Sequence, residues 1–273
     1  MSVRTVTFNV LSYDHAEPSR RREVAAAGLR ALRPDIVALQ ETTLGVGIDE
    51  AHELLGEDYH VQEHASRPAD EVGSVLASRW PISPVAVIDL AVLPRVPSAA
   101  ALAASVNLPD PFGSALLVHQ HAAFQYGYTA EREMQALTCA RRIEELAGRY
   151  RHVIVLGDFN DDADSASVRF WTGKQSLDGF GVHYQDAWRA AHPRVPGETF
   201  VPHNPLVRTG ELPLEAGRRI DYVLIRSGPY GPSLRVLDAR LVLDEPVNGV
   251  WASDHFGVLA DLTVPSHSPG TWA

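Results

Sequence analysis

The sequence predicts an α/β or α+β fold of two packed sheets with helices on the outside. Short runs rich in Val, Ile and Leu recur along the chain and alternate with stretches of helical period. Several of the apolar runs end abruptly on Asn, Glu, Asp or His. At 273 residues the chain can fill one large core. Residues 1–265 are expected to form a single domain, with 266–273 as a loose tail.

Residues 4–11 make the first expected strand, through Val6, Phe8 and Val10. Residues 18–33 follow as a helix, with Val24, Ala27, Gly28 and Leu32 on one face and Arg20, Arg21, Arg22 and Arg30 on the other. Pro34 stops it, and residues 35–41 are a second buried strand. A short helix is expected over 48–56, then strands over 59–63, 73–78 and 85–90. Residues 94–112, rich in Ala and Pro without a clear period, are expected to be an inserted loop with a short helix. The chain returns to strand over 114–121 and to helix over 130–150, where Met134, Leu137, Ile143 and Leu146 recur at helical spacing and Cys139 falls in the core. Next comes the most informative stretch: Val153, Ile154, Val155 and Leu156, then Gly157, Asp158, Phe159 and Asn160. Short helices are expected over 165–171 and 184–191, and a long loop with five prolines over 193–217. Strands over 220–226, 234–243 and 257–264 close the chain.

Composition narrows the function. A net charge of -10 gives no global field toward polyanions, so tight non-specific binding of nucleic acid is disfavoured, although a local patch or bound cation could override it. The single cysteine excludes an internal disulfide and fits a reducing compartment. No apolar run nears the ~20 residues of a membrane span, and a strand begins at once at the N-terminus. A cytoplasmic monomer is the expectation.

The strand ends carry the chemistry. Period two would send Asp158 and Asn160 to one side, where a carboxylate can align or deprotonate water and a neutral amide can donate to an oxyanion. Alone, that segment is equally an Asx-turn. Asn9 and Glu41 stand on the first two strands, Asp221 opens a third, and Asp254 and His255 precede the last. His119 and His121 flank Gln120, so both can point to one face. They could form a zinc pair, or one catalytic histidine with a structural neighbour. Each residue alone has an ordinary structural explanation; the set does not. Its oxygen-rich donors, with no cysteine among them, select Mg²⁺ or Mn²⁺.

These segments together resemble the endonuclease/exonuclease/phosphatase superfamily: Thr7 to Val10, Leu39 to Glu41, Val75 to Ile82, the strand ending at His121, Gly157 to Asn160, Arg219 to Tyr222, and Ser253 to His255, in the family's order. The resemblance implies a four-layer α/β/β/α sandwich of two mixed sheets, with a catalytic cleft at one rim. It implies that Asn9, Glu41 and Asp254 surround the metal and that Asp158 aligns or deprotonates the attacking water. Asn160 would support the phosphate, His121 and His255 would stabilise charge or transfer protons, and Asp221 would orient one of them.

The implied function is divalent-metal-dependent hydrolysis of a phosphodiester or phosphomonoester. An endo- or exonuclease acting on DNA or RNA, and a non-catalytic binding module that keeps the fold, are the alternatives. Glu131 to Leu137, Asp186 to Trp188, and Thr199, Phe200 and Asn204 are similar to the tyrosyl-DNA 5′-phosphodiesterase branch, with Phe200 in place of that branch's usual tryptophan. Arg67, His119, Trp188, Phe200 and Asn204 are the expected substrate contacts. The acidic balance and the two long proline-containing segments favour a compact phosphoester or a strand end over internal cleavage of long duplex.

Overall fold

The computed structural model describes residues 1–45, 48–63, 72–96 and 99–272. In chain order the elements are β1 (Val3–Asn9), α1 (Pro18–Leu32), β2 (Ile36–Gly45), β3 (Ile48–Asp49), α2 (Glu50–Leu55), β4 (His60–Glu63), β5 (Val72–Ser78), β6 (Ile82–Asp89), β7 (Ala100–Leu108) and β8 (Gly113–His121). They continue with α3 (Thr129–Ala147), β9 (His152–Asp158), α4 (Ala166–Trp171), β10 (Tyr184–Asp186), α5 (Ala187–Ala191), α6 (Pro205–Thr209), β11 (Asp221–Gly228), β12 (Gly231–Pro232), β13 (Arg235–Val242) and β14 (Gly257–Thr263).

One sheet runs β13-β14-β1-β2-β5-β4, with β3 on β2; the other runs β10-β11-β9-β8-β7-β6, with β12 on β11. Each is mixed: β1 and β2 are parallel, as are β8 and β9, and their other neighbours are antiparallel. Period two then builds the layers. Val6, Phe8, Val37 and Leu39 face α1 and α2. Val153, Val155, Leu116 and Val118 face α3 and α4. Ile36, Ala38, Leu117, Ile154 and Leu156 meet between the sheets. This is the expected α/β/β/α sandwich. Each fully buried Leu or Ile contributes roughly 1.5–3 kcal/mol to it.

Three expectations need correction. Within the expected inserted loop, residues 100–108 instead form β7, which lies inside the second sheet between β6 and β8. Its alanines are poor strand formers, but Ala101 and Ala103 pack outward while Leu102, Ala104 and Val106 pack inward. Burial on both faces leaves no polar alternation to read. Residues 184–191 split into β10 and α5, joined where Asp186 caps the Arg189 N–H. In α1 the buried row is Arg21, Ala25 and Leu29, not the expected stripe. Arg21 leaves the polar face because its guanidinium donates to the carbonyls of Val10, Leu11, Ser12 and Ala16, tying down the turn after β1.

No helix among the described residues is long and apolar enough to cross a membrane. Cys139 is buried in α3, and burial pushes its thiol up to about 12, which makes it an inert core residue.

Candidate active site

The space between the sheets grades from apolar to polar toward one rim. Above the Ile36, Leu117 and Ile154 layer sits a buried row in which Gln40 Nε2 donates to Thr7 Oγ1 at 3.1 Å and lies 2.7 Å from His119 Nε2. The rim itself carries Asn9, Glu41, His121, Asp158, Asp221, Asp254 and His255. Strand direction explains the convergence. The parallel pairs β1/β2 and β8/β9 bring their C-terminal ends to this rim, and antiparallel β11 and β14 bring their N-terminal ends. Cross-strand register sets Asp158 directly opposite both His121 and Asp221.

Local backbone devices aim the side chains. Gly157 has φ +150°, and a Cβ there would lie 1.8 Å from the Gln120 carbonyl oxygen, so only glycine allows β9 to run this close to β8. Beyond Asp158 the chain turns: the Asn160 N–H donates to Asp158 Oδ1 at 2.8 Å, and Asn160 has φ +50°. An Asx-turn, not strand period, therefore relates Asp158 to Asn160. Asn160 Nδ2 spends one hydrogen on the Ala122 carbonyl and keeps the other for the cleft. Glu41 does not end β2. It is the bulged residue where pairing with β5 shifts between Gln40 and Thr42, held at φ +59°. Bulges re-aim side chains, and a non-glycine residue held this way costs on the order of 1–3 kcal/mol, consistent with a functional constraint.

Asp158 Oδ2 is the hub. It accepts from Asn9 Nδ2 at 3.3 Å and lies 3.8 Å from His121 Nε2 and 3.9 Å from His255 Nε2. Asp221 Oδ2 holds His255 Nδ1 at 3.0 Å, so the histidine that Asp221 orients is His255. The Ser253 hydroxyl accepts from the His255 N–H and donates to Asp254 Oδ1. Asn204 Nδ2 donates to the carbonyls of Ser253 and Asp254.

Electrostatics follow from this crowding. Burial, reinforced by the Asp221 charge, pushes Asp158 up to about 6. Burial opposes the charged form of His255, but the charge and hydrogen bond of Asp221, with Asp158 and Asp254, raise it to about 10. Burial also opposes ionisation of Glu41, yet His121, Asn9, His255 and the Ser12 N–H together hold it below the usual carboxylate range. Asp254 is raised by burial first, and the Glu41 charge adds to it.

That repulsion is the observation against which a metal can be tested. Glu41 and Asp254 line one cavity of about 530 Å³, and a hard divalent cation would accept oxygens from both and relieve their mutual charge. Asn9 is held by hydrogen bonds to Glu41 and Asp158, and the second lone pair of its Oδ1 is compatible with the expected ligand role. Its Oδ1 accepts the Leu11 N–H, and its Nδ2 donates to Glu41 at 2.8 Å and to Asp158. The donors and acceptors around it fix that amide orientation, so Asn9 ties the two carboxylates together. Asp158, Asp221 and His255 also offer ligand atoms within 4.8 Å of one another. There the protonated imidazole already supplies the positive charge, so Glu41 and Asp254 are the better cation donors.

The expected substrate contacts scatter. His119 is buried beneath the site against Gln40. Trp188 belongs to the core between the sheets, where Nε1–H donates to the Val195 carbonyl and the ring packs on His192. Asn204 is fully buried and braces the Ser253–Asp254 turn. Neither Trp188 nor Asn204 lines the cleft; their motif spacing reflected support instead of contact. Phe200 does line it, with its ring 4.8 Å from that of His255. Arg67 lies outside the described residues. The cavity also takes in Ser12, His15, Phe124 and Arg218, none of which stood out in the sequence because loops far apart in the chain supply them.

A sequence model of the Endonuclease/Exonuclease/phosphatase family matches residues 6–255. The chain belongs to this family. No curated protein matches the sequence. Among solved structures, a humanised D. rerio TDP2 with 14 mutations is 19% identical, with a TM-score of 0.73 over 96% of this chain and 99% of that one. Truncated Caenorhabditis elegans TDP2 is 16% identical, with a TM-score of 0.74 over 97% and 98%. The endonuclease/exonuclease/phosphatase from Bacteroides vulgatus is 22% identical, with a TM-score of 0.69 over 97% and 100%. At these identities the likeness concerns the fold. Membership of the family, with the polar rim intact, makes the chain a phosphoesterase or nuclease.

Proposed function

We propose that this protein is a divalent-metal-dependent phosphoester hydrolase that directs water in line at phosphorus in a compact substrate or strand end. The observation that carries the reading is the position of Asp158 Oδ2, within 4 Å of Asn9, His121 and His255 at the floor of the cleft. As a carboxylate it aligns the attacking water and takes its proton as the new P–O bond forms, while the ester P–O bond opposite breaks and its oxygen leaves, protonated from solvent, as the alcohol. Asn9 holds it in place. His255, kept protonated by Asp221, balances the charge that gathers on the phosphoryl oxygens, and His121 lies 3.8 Å from the same Asp158 oxygen. Asn160 offers its free amide hydrogen to a phosphoryl oxygen. Mg²⁺ or Mn²⁺ held by Glu41 and Asp254 would supply further neutralisation of phosphate charge.

A nuclease acting at a DNA or RNA end is the second reading. A D. rerio TDP2 complexed with single strand DNA product shares the fold at 18% identity and a TM-score of 0.72. Both readings are tested by one panel on EDTA-stripped protein: p-nitrophenyl esters, nucleotides, 5′-adducted single-stranded DNA, RNA, inositol phosphates and sphingomyelin. Hydrolysis restored by Mg²⁺ or Mn²⁺ is expected, and the substrate that responds separates the readings. Inactivity on every member would favour a binding module over an enzyme.

A further inference from the structure

Arg218 has no part in the chemistry described above, yet it lines the same cleft. Its backbone pairs antiparallel with Phe200, which pairs in turn with His255. Two lateral steps of about 4.8 Å each put its backbone roughly 10 Å from that of His255. The guanidinium lies 5.0 Å from the Tyr126 ring centre and 6.0 Å from that of Phe200. Nε donates to Glu215 Oε2 at 2.7 Å, the same oxygen that accepts the Tyr126 hydroxyl at 2.8 Å. The other Glu215 oxygen accepts the N–H groups of Ala216 and Gly217. Glu215 is thus a saturated brace that fixes one edge of the guanidinium. Among the described residues the one close hydrogen bond of the guanidinium runs through Nε, which leaves its two terminal nitrogens to face the Tyr126 hydroxyl, Asp162 and the cleft.

The rest of the lining restricts where a substrate can carry further charge. Glu41, Asp158, Glu211 and Asp254 repel a second anion, and besides His15 and His255 the only basic side chain described in the lining is Arg218. A braced, partly buried guanidinium between two rings, with its fork facing the cleft, is built to receive a phosphate. Resting on the hydrolase reading above, we propose that Arg218 is the specificity-determining residue, binding a second phosphate one linkage removed from the scissile phosphoester.

The test compares thymidine 5′-phosphate with thymidine 3′,5′-bisphosphate by calorimetry in the presence of Mg²⁺, and their 5′-p-nitrophenyl esters by turnover. Wild type is expected to bind the bisphosphate about tenfold to a hundredfold more tightly, the worth of a charged hydrogen-bonded pair. Arg218→Gln is expected to bring that ratio near one, and Arg218→Lys to keep part of it. Tyr126→Phe, which loosens the brace but retains the cation, should preserve most of the ratio. Equal binding of the two nucleotides by wild type would overturn the proposal, as would loss of the ratio in Tyr126→Phe as complete as in Arg218→Gln. Failure to cleave either ester would count against the hydrolase reading alone, since the binding ratio is read without turnover.

Discussion

Asp158 and His255 come from different sheets and face each other with 3.9 Å between Oδ2 and Nε2. Neither would hold its charge alone at this depth. Burial drives Asp158 toward its neutral acid and would strip the proton from His255, but each stabilises the ionised form of the other. Asp221 is placed to favour His255: it bonds Nδ1 and, by its own charge, makes Asp158 more basic. One rim thereby holds a carboxylate made more basic beside an imidazolium that keeps its proton, a base next to a fixed positive charge.

His119→Ala should cost stability but not chemistry. The change opens a cavity between the sheets and removes a partner of Gln40, at a cost of about 2–4 kcal/mol. A fall of roughly 5–15 °C in Tm is expected, with turnover per folded molecule within a few-fold of wild type. A hundredfold loss of turnover at unchanged Tm would move His119 into the reacting set.

His152 should give the fold a weak point in acid. Burial, with some help from Arg151, lowers this histidine from its ordinary 6.5 to about 4. Because the folded state prefers the neutral ring, its stabilising effect is present above pH 6.5 and is lost as pH falls toward 4, an effect on the order of 3 kcal/mol. Urea midpoints at pH 7 and pH 4.5 should diverge less in His152→Gln than in wild type. Equal divergence in both would assign the acid sensitivity elsewhere.

How much of this was legible in the sequence depends on how local the cause was. Asp158, Asp221 and His255 could be picked out because buried strands leave few explanations for polar ends, and strand direction carries those ends to one rim. The bulge at Glu41 was not legible, since it arises from pairing with β5, over thirty residues away. The amide orientation of Asn9 depends on the Leu11 N–H and two distant carboxylates, contacts that no local sequence pattern shows. Arg21 looked solvent-facing until the turn it caps was in place, and β7 looked irregular because alanine carries no strand signal. Trp188 and Asn204 stand near motif residues in sequence, but such nearness does not distinguish a brace from a contact.

Metal should act through Glu41 and Asp254. EDTA should abolish hydrolysis, and Mg²⁺ or Mn²⁺ should restore it. In Glu41→Gln the metal concentration for half-maximal activity should rise by more than the ~10–100-fold typical of a residue that merely supports a ligand. Unchanged metal dependence would shift the cation to Asp158, Asp221 and His255.

Salt should matter little. A protein that follows a single strand loses affinity with a slope of about 0.7 per phosphate neutralised. Arg218 is the one non-histidine cation described in the lining, so a slope near one is expected, together with poor nicking of supercoiled plasmid. Rapid nicking that collapses steeply with salt would point to an extended nucleic-acid track.

The most direct test is turnover of Asp158→Asn on whichever phosphoester the wild type cleaves with Mg²⁺. The substitution preserves shape and removes both the basic oxygen and the repulsion from Asp221. A fall of at least ~10²–10⁴-fold in kcat is therefore expected, with a Tm equal to or above that of wild type. Wild-type turnover in a folded Asp158→Asn protein would contradict the account.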